Sequence, residues 1–148
     1  MLKWKWPIKN ILVAGLNPHA GEKGLIGHED KEVEKAVKQL QDKDNFNVSG
    51  PFPGDTILIE RKDPKDMLVY LFHDQGLGIF KGTQGFIGSN ITTGLPYPRF
   101  SPDHGTSFSL MGKNVADHRG CLFSLNQALD LLQRMSHGQD PSYQGKSS

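Results

Sequence analysis

The chain of 148 residues has a single cysteine, Cys121, which excludes an internal disulfide and suits a reducing compartment. Cys121 precedes Leu122 and Phe123 in a helical pattern, so a buried structural thiol is expected rather than a nucleophile. No apolar run approaches the roughly 18 residues needed to cross a membrane, and Met1 to Pro7 has lysines but no following apolar stretch of signal-peptide length. Seventeen basic against sixteen acidic residues leave a net charge of +1. A nucleic-acid surface would need a basic excess or stripe, and Trp4-Lys5-Trp6 is too short to make one. The Asn90-Ile91-Thr92 sequon lacks a secretory signal to give it meaning. A cytoplasmic chain, with neither nucleic acid nor membrane as partner, is expected.

Two catalytic fingerprints are missing as well. Gly76-Leu77-Gly78 with Gly82 does not give the spacing of a Rossmann dinucleotide turn, and Ser107 and Ser109 lack the glycine context of a serine hydrolase. No internal repeat is visible.

What is present is an alternation of strand and helix patterns, which predicts an α/β architecture. Asn10 to Gly15 is an apolar run closed by glycine, as in a buried strand. From about Glu29 to Asp42, Val33, Ala36, Val37 and Leu40 recur at helical spacing, with Glu29 and Asp30 suited to the dipole at its start. Gly50 to Asp55 reads as a rigid turn, and Thr56 to Glu60 as a short extension or helical turn. Met67 to Phe72 is expected to be a second buried strand and Ser89 to Thr93 a third. Gly94 to Gly105, with three prolines, is expected to be an ordered loop rather than a regular element. From Gly120 to Met135, Leu122, Leu125, Leu129 and Leu132 line one side of a helix, joined by Cys121, Ala128 and Met135. Residues 1–135 form the ordered portion in this reading, and 136–148 a polar, disordered tail. Three strands make a thin sheet, so the chain reads as part of a larger fold.

Three histidines carry the functional signal. His19 lies in Asn17-Pro18-His19-Ala20-Gly21-Glu22 after the first strand, His73 in His73-Asp74-Gln75-Gly76 after the second, and His104 in Ser101-Pro102-Asp103-His104-Gly105-Thr106. Loops at the carboxyl ends of strands are where α/β proteins bind ligands, and an imidazole there can hold a metal or move a proton. Each alone is more often a structural residue; His19 and His73 at successive strand ends make the metal and structural readings about even. Asp74 and Gln75 can orient the His73 ring or an attached water. Lys81, Asn90 and Arg99 form a second group suited to phosphate or carboxylate. Most lysines are solvated surface charges. Arg99, between Pro98 and Phe100, sits in a stiff loop, with Asp103 available as an ion-pair partner.

Taken in order, Asn17 to Glu22, Gly50-Pro-Phe-Pro-Gly-Asp-Thr56, His73 to Gly76, Gly94-Leu-Pro96 with Arg99, and Ser101 to Thr106 strongly resemble the 4-hydroxythreonine-4-phosphate dehydrogenase family of pyridoxal phosphate biosynthesis. The resemblance runs from about residue 10 to 135 and covers the carboxyl-terminal portion of the family chain. It implies a partial three-layer α/β/α fold like that of isocitrate and isopropylmalate dehydrogenases, which bind NAD without the Rossmann fingerprint. It further implies NAD-linked oxidation of 4-phosphohydroxy-L-threonine, assisted by a divalent ion (Zn, Mg or Co) and followed by decarboxylation. By position, His19 and His73 match metal ligands, and Lys81, Asn90 and Arg99 match substrate contacts. Lys81 and Asp74 are carried over as catalytic, and His104, Gly105 and Thr106 as the cofactor side.

The family's third metal histidine lies in an amino-terminal portion without a counterpart here, and its metal site is completed across a dimer. The implied partners are therefore a second copy or a missing amino-terminal half. The alternatives are a remnant that only binds metal or a partner, and a related dehydrogenase for another hydroxy acid. Gly54 stands where the family usually has alanine, Ser109 and Met111 where it has an acidic and a small residue, and His118-Arg119 where it has Pro-Gly.

Overall fold

The computed structural model describes residues 8–21, 25–44, 47–85 and 87–136. Trp4 to Trp6, Glu22 and the tail from 137 onward lie outside the described residues. The chain divides into two compact units, Trp6–Phe80 and Lys81–Ser148 with Met1–Lys5.

The first unit is built on a parallel sheet. Strand β1 is Ile11–Ala14, followed by helix α1 (Asp30–Asp44), strand β2 (Val48–Phe52), helix α2 (Ile57–Glu60) and strand β3 (Met67–Val69). The strand order is β2-β1-β3, with β1 parallel to both neighbours. Because successive side chains point to opposite faces, β1 feeds two cores. Ile11 and Val13 pack with Val33 and Val37 of α1 and with Val48, whereas Leu12 and Ala14 pack with Ile57 of α2. A central strand covered on both faces has no use for polar residues, which is why Ile11 to Ala14 is continuously apolar.

Two expectations are corrected here. Val48 to Phe52 is strand rather than rigid turn up to Phe52, since its backbone pairs with β1. Gly50 permits this: its φ is +143°, and a Cβ there would lie 2.5 Å from the Val13 carbonyl oxygen. Strand β3 is shorter and more open than expected. It ends at Val69, and Met67, Leu71 and Phe72 are exposed, as suits an edge of the sheet.

Helix α3 (His73–Gln84) begins in the first unit and ends in the second. The second unit continues with strands β4 (Ser89–Thr92) and β5 (Arg99–Pro102), a 3-10 turn at Phe108–Leu110, and helix α4 (Arg119–Ser136). Strands β4 and β5 are antiparallel, with Thr92 opposite Arg99 and Ser89 opposite Pro102. The proline-rich stretch is therefore loop only between the strands and after Pro102; Pro102 closes β5, where a missing N–H costs least.

Helix α4 packs on both strands of this hairpin. The side it buries is not the leucine side. Gly120 and Ser124 are buried and Gln127, Ala128 and Leu131 half-buried, a stripe at i, i+4, i+7, i+8 and i+11. Leu122, Leu125, Leu129 and Leu132 are each more than half exposed. Cys121, one residue off the buried stripe, is exposed, which corrects the expectation of a buried thiol. Among the described residues no helix is long and apolar enough to cross a membrane.

Candidate functional site

The carboxyl edge of the parallel sheet carries both histidines expected to hold a metal. Since β1 and β3 are hydrogen-bonded neighbours running the same way, the segments that follow them, with His19 and His73, leave the same edge. Both histidines are exposed.

The His19 turn is fixed by two short polar side chains. Asn17 Oδ1 accepts the His19 N–H at 2.9 Å, an Asx turn, and the Asn17 carbonyl accepts the Ala20 N–H at 2.9 Å. Ala20 then takes a positive φ of 51° and Gly21 one of 68°. Below the turn, Asp30 is 3% exposed and its two carboxylate oxygens accept the N–H groups of Leu16 at 2.6 Å and Asn17 at 3.2 Å. The sequence reading gave Asp30 only a role at the helix dipole, and missed it as the anchor of this turn. Gly15 leaves room for it, because a Cβ there would come within 2.9 Å of Asp30 Oδ1.

The His73 end is held to β1 through Gln75, whose Nε2 donates to the Gly15 carbonyl at 3.4 Å and whose Oε1 accepts the Phe72 N–H at 3.4 Å. Gly76 lets the first turn of α3 close on Tyr70, whose ring would lie 2.8 Å from a Cβ. Burial pushes the Tyr70 phenol above its usual range. His73 therefore heads a helix, with Asp74 beside it and exposed.

Two neutral imidazoles suit a divalent transition ion by donor chemistry. Among the described residues, however, no group of three or more His, Cys, Asp or Glu side chains is placed to hold an ion. The donor set fits in kind and is short of the three protein ligands usual at a catalytic zinc.

The second unit holds a cavity of roughly 660 Å³, within the ordinary range of ligand sites. Lys81 of α3, His104, Gly105 and Thr106 line it together, so one expected substrate contact and all three expected cofactor-side residues share a wall. Its other walls include Phe108, Met111 and Val115, which the sequence reading did not single out. These three are 73%, 73% and 64% exposed, apolar surface of the kind a flat heterocycle covers. The donor and apolar sets fit a dinucleotide by chemistry. His104 Nδ1 lies 3.1 Å from the Gly105 carbonyl, and Ser107, at φ 49°, donates to the same oxygen at 3.3 Å.

Asn90 and Arg99 are not among the residues lining this cavity. Thr92 faces Arg99 and Asn90 faces Ser101 across the hairpin, and residues directly opposite share a face, as do i and i+2. Asn90 and Arg99 thus lie on one face, and both are exposed. Arg99 Nη1 donates to Thr92 Oγ1 at 3.1 Å rather than to Asp103, whose Oδ2 is buried without a hydrogen-bond partner.

Asp117 also lines the cavity and was missed in the sequence. Arg119 Nε lies 3.0 Å from both carboxylate oxygens, Nη2 lies 2.7 Å from Oδ2, and the Arg119 N–H donates to Oδ1 at 3.0 Å. The side-chain hydrogen bonds from Arg119, joined by its backbone N–H, hold the Asp117 carboxyl down at about 2.

The family model described as pyridoxal phosphate biosynthetic protein PdxA matches residues 2–130. A D-threonate 4-phosphate dehydrogenase of Cupriavidus necator is 43% identical over 84% of this chain and 38% of its own length. A 4-hydroxythreonine-4-phosphate dehydrogenase of a Janthinobacterium species is 43% identical over 82% of this chain and 36% of its own. The crystal structure of 4-hydroxythreonine-4-phosphate dehydrogenase from Klebsiella pneumoniae superposes with a TM-score of 0.69 at 41% identity, covering 85% of this chain and 39% of that one. The chain thus spans less than two-fifths of the length of these relatives, and by the match of sequence and structure together it belongs to the PdxA family.

Proposed function

We propose that this chain supplies the carboxyl-terminal part of an NAD-dependent, metal-assisted dehydrogenase that oxidises and decarboxylates 4-phosphohydroxy-L-threonine. The observation that carries the reading is the shared lining of one cavity by Lys81 and His104 to Thr106. When bound, the divalent ion supplies Lewis-acid polarisation of substrate oxygen and NAD supplies the hydride acceptor.

This chain's own residues do the rest. His19 and His73 would hold the ion through neutral ring nitrogens, with Asp74 orienting the His73 ring. Arg99 offers a planar fork and Asn90 an amide on the exposed hairpin face, suited to fixing the anionic ends of the substrate. Lys81, half-buried in the cavity wall, is the group to hold or move a proton at its Nζ near substrate oxygen. The apolar walls at Phe108, Met111 and Val115 would exclude water from a bound heterocycle.

A second reading, a dehydrogenase for D-threonate 4-phosphate, is favoured by the name of the Cupriavidus relative. The two substrates share a 4-phosphate and differ at carbon 2, amine against hydroxyl. A third, a chain that binds metal or a partner without turnover, is favoured by the two-imidazole donor set. A turnover assay with each substrate, NAD and a divalent ion decides among them. It is run on the chain alone and with the amino-terminal portion of a relative added in trans. Turnover of 4-phosphohydroxy-L-threonine in either format supports the first reading. Turnover of D-threonate 4-phosphate alone supports the second, and silence in both formats the third.

A further inference from the structure

Gln75 joins the two segments that carry His19 and His73. Helix α3 opens at His73, so Phe72 is the residue ahead of it and Gln75 its third residue. Gln75 Oε1 accepts the Phe72 N–H at 3.4 Å. This is the reach-back half of a capping box, in which a glutamine at the third helical position satisfies the N–H ahead of the helix. The same amide donates through Nε2 to the Gly15 carbonyl at 3.4 Å. One half-buried side chain thus ties the start of α3 to the end of β1.

Gly15 is a firm anchor. Its own N–H donates to the Phe52 carbonyl of β2 at 2.8 Å, and the next two N–H groups, of Leu16 and Asn17, are taken by buried Asp30. Asn17 Oδ1 then accepts the His19 N–H at 2.9 Å. Covalent and hydrogen-bonded links therefore run unbroken from His73 through Gln75, Gly15 and Asn17 to His19. Both histidines are exposed, so the backbone beneath them, rather than packing around the rings, sets their separation.

Metal–ligand distances tolerate only about 0.2 Å of error, and fraying of the first turn of α3 would move His73 by more than that. Resting on the metal reading just proposed, we infer that Gln75 is a positioning residue of that site. Its amide holds the start of α3 against the His19 turn so that both imidazoles can meet one divalent ion. It acts on the backbone rather than on the His73 ring.

The test uses Co²⁺ as the probe and needs no turnover. The full 148-residue chain is titrated with Co²⁺ by calorimetry, and the visible spectrum of the bound ion is recorded at saturation. Gln75→Ala is expected to weaken binding by about tenfold, the low end for residues that support metal ligands, and to alter the saturated spectrum. Gln75→Met, which keeps most of the side-chain volume and neither hydrogen bond, is expected to behave as Gln75→Ala does, and it carries the test should the alanine variant not fold. Circular dichroism checks each variant. A loss below about threefold in both Gln75 variants overturns the inference. So does weaker binding with an unchanged saturated spectrum, which marks a residue that only stabilises the chain, or wild-type affinity in Gln75→Met, which assigns the effect to packing. In each of these cases the metal reading stands, provided that His19→Ala and His73→Ala both weaken binding. A wild-type chain that binds no Co²⁺, or whose binding survives both histidine substitutions, overturns the metal reading and the inference together.

Discussion

Asp30, buried at the start of α1, accepts the backbone N–H of Leu16 at 2.6 Å, just past the end of β1. With the second bond to Asn17 at 3.2 Å, one carboxylate joins the helix to the turn that presents His19. A hydrogen bond to a charged group is worth about 1.5–3 kcal/mol, and an orphaned buried N–H costs about 1–3 kcal/mol. Asp30→Ala should therefore destabilise the chain by roughly 3 kcal/mol in urea unfolding, and Asp30→Asn, which keeps one acceptor, by about half as much. A loss under about 0.5 kcal/mol for Asp30→Ala would show that the turn is held by other contacts.

Two glycines, Gly50 within β2 and Gly54 just beyond it, should respond to alanine very differently. At Gly50 the added Cβ would meet the Val13 carbonyl oxygen at 2.5 Å, with φ at +143°. Backbone of a central strand cannot retreat, so Gly50→Ala is expected to cost about 3 kcal/mol or to prevent folding. At Gly54 the first atom met is Gln75 Nε2 at 3.3 Å, the far end of a flexible side chain. Gly54→Ala should fall within about 1 kcal/mol of the parent, since reduced unfolded-state entropy offsets the small shift of Gln75. Thermal unfolding of both variants checks the ordering, and a larger loss at Gly54 would contradict it.

The contrast between these sites marks what could be read in advance. Strand β1, helix α1 and the existence of α4 were legible because buried faces impose a period: continuous apolar residues on a strand covered twice, and a 3.6-residue repeat on a helix. Strand β5 was not, because Pro98 and Pro102 bracket only three residues and hide any alternation. Helix α3 was not, because His73-Asp-Gln-Gly-Leu-Gly has two glycines and little amphipathic pattern. The face of α4 was misread for a related reason. Leucine spacing shows that a stripe exists, whereas burial of Gly120 and Ser124 depends on how closely the hairpin approaches. The motifs pointed to His19, His73 and His104 directly, whereas Lys81 lies in no motif and was reached only by its position in the resemblance. Asp30 and Asp117 carry no motif, since their roles arise from backbone groups and a neighbouring arginine.

The acid limb of stability should report on depressed carboxyls. Asp117 titrates at about 2, below its ordinary 3.8, chiefly through the side-chain bond from Arg119. At Asp66 burial raises the carboxyl, but hydrogen bonds from the Asp63 N–H, Asn10 Nδ2 and the Lys62 N–H outweigh it and lower the net value. A carboxyl lowered on folding stabilises above its unfolded value, and that contribution is lost as pH falls through the folded one. Unfolding midpoints should therefore drop between about pH 4 and pH 2. Asp117→Asn should flatten part of that drop, and a side-chain NMR titration of Asp117 centred near 4 would contradict the pairing.

Divalent-ion binding separates the metal reading from a structural one. If His19 and His73 share an ion, His19→Ala and His73→Ala should each reduce Zn²⁺ or Co²⁺ affinity at least tenfold, while Asp74→Asn has a smaller effect through ring orientation. Two imidazoles alone should bind no tighter than micromolar, because structural zinc sites use four protein ligands and catalytic ones three. Calorimetry at pH 7.5, with affinity falling in acid as protons compete with the ion for the ring nitrogens, is the expected pattern. Unchanged affinity in both variants would remove these residues from any metal site.

The exposed leucines of α4 predict self-association. Leu122, Leu125, Leu129 and Leu132 recur at intervals of three, four and three, a seam that a second helix can cover, and each is more than half exposed. Phe108, Met111 and Val115 in the same unit add further exposed apolar surface, beyond the scatter usual on a monomer. Sedimentation velocity should show the weight-average mass rising with concentration, and a hydrophobic dye should bind the dilute chain. Leucine and glutamate have similar helix propensity, so Leu125→Glu with Leu129→Glu should leave helicity intact while lowering both signals. A wild-type chain that remains monomeric at high concentration and binds no dye would show that these side chains are tolerated in water.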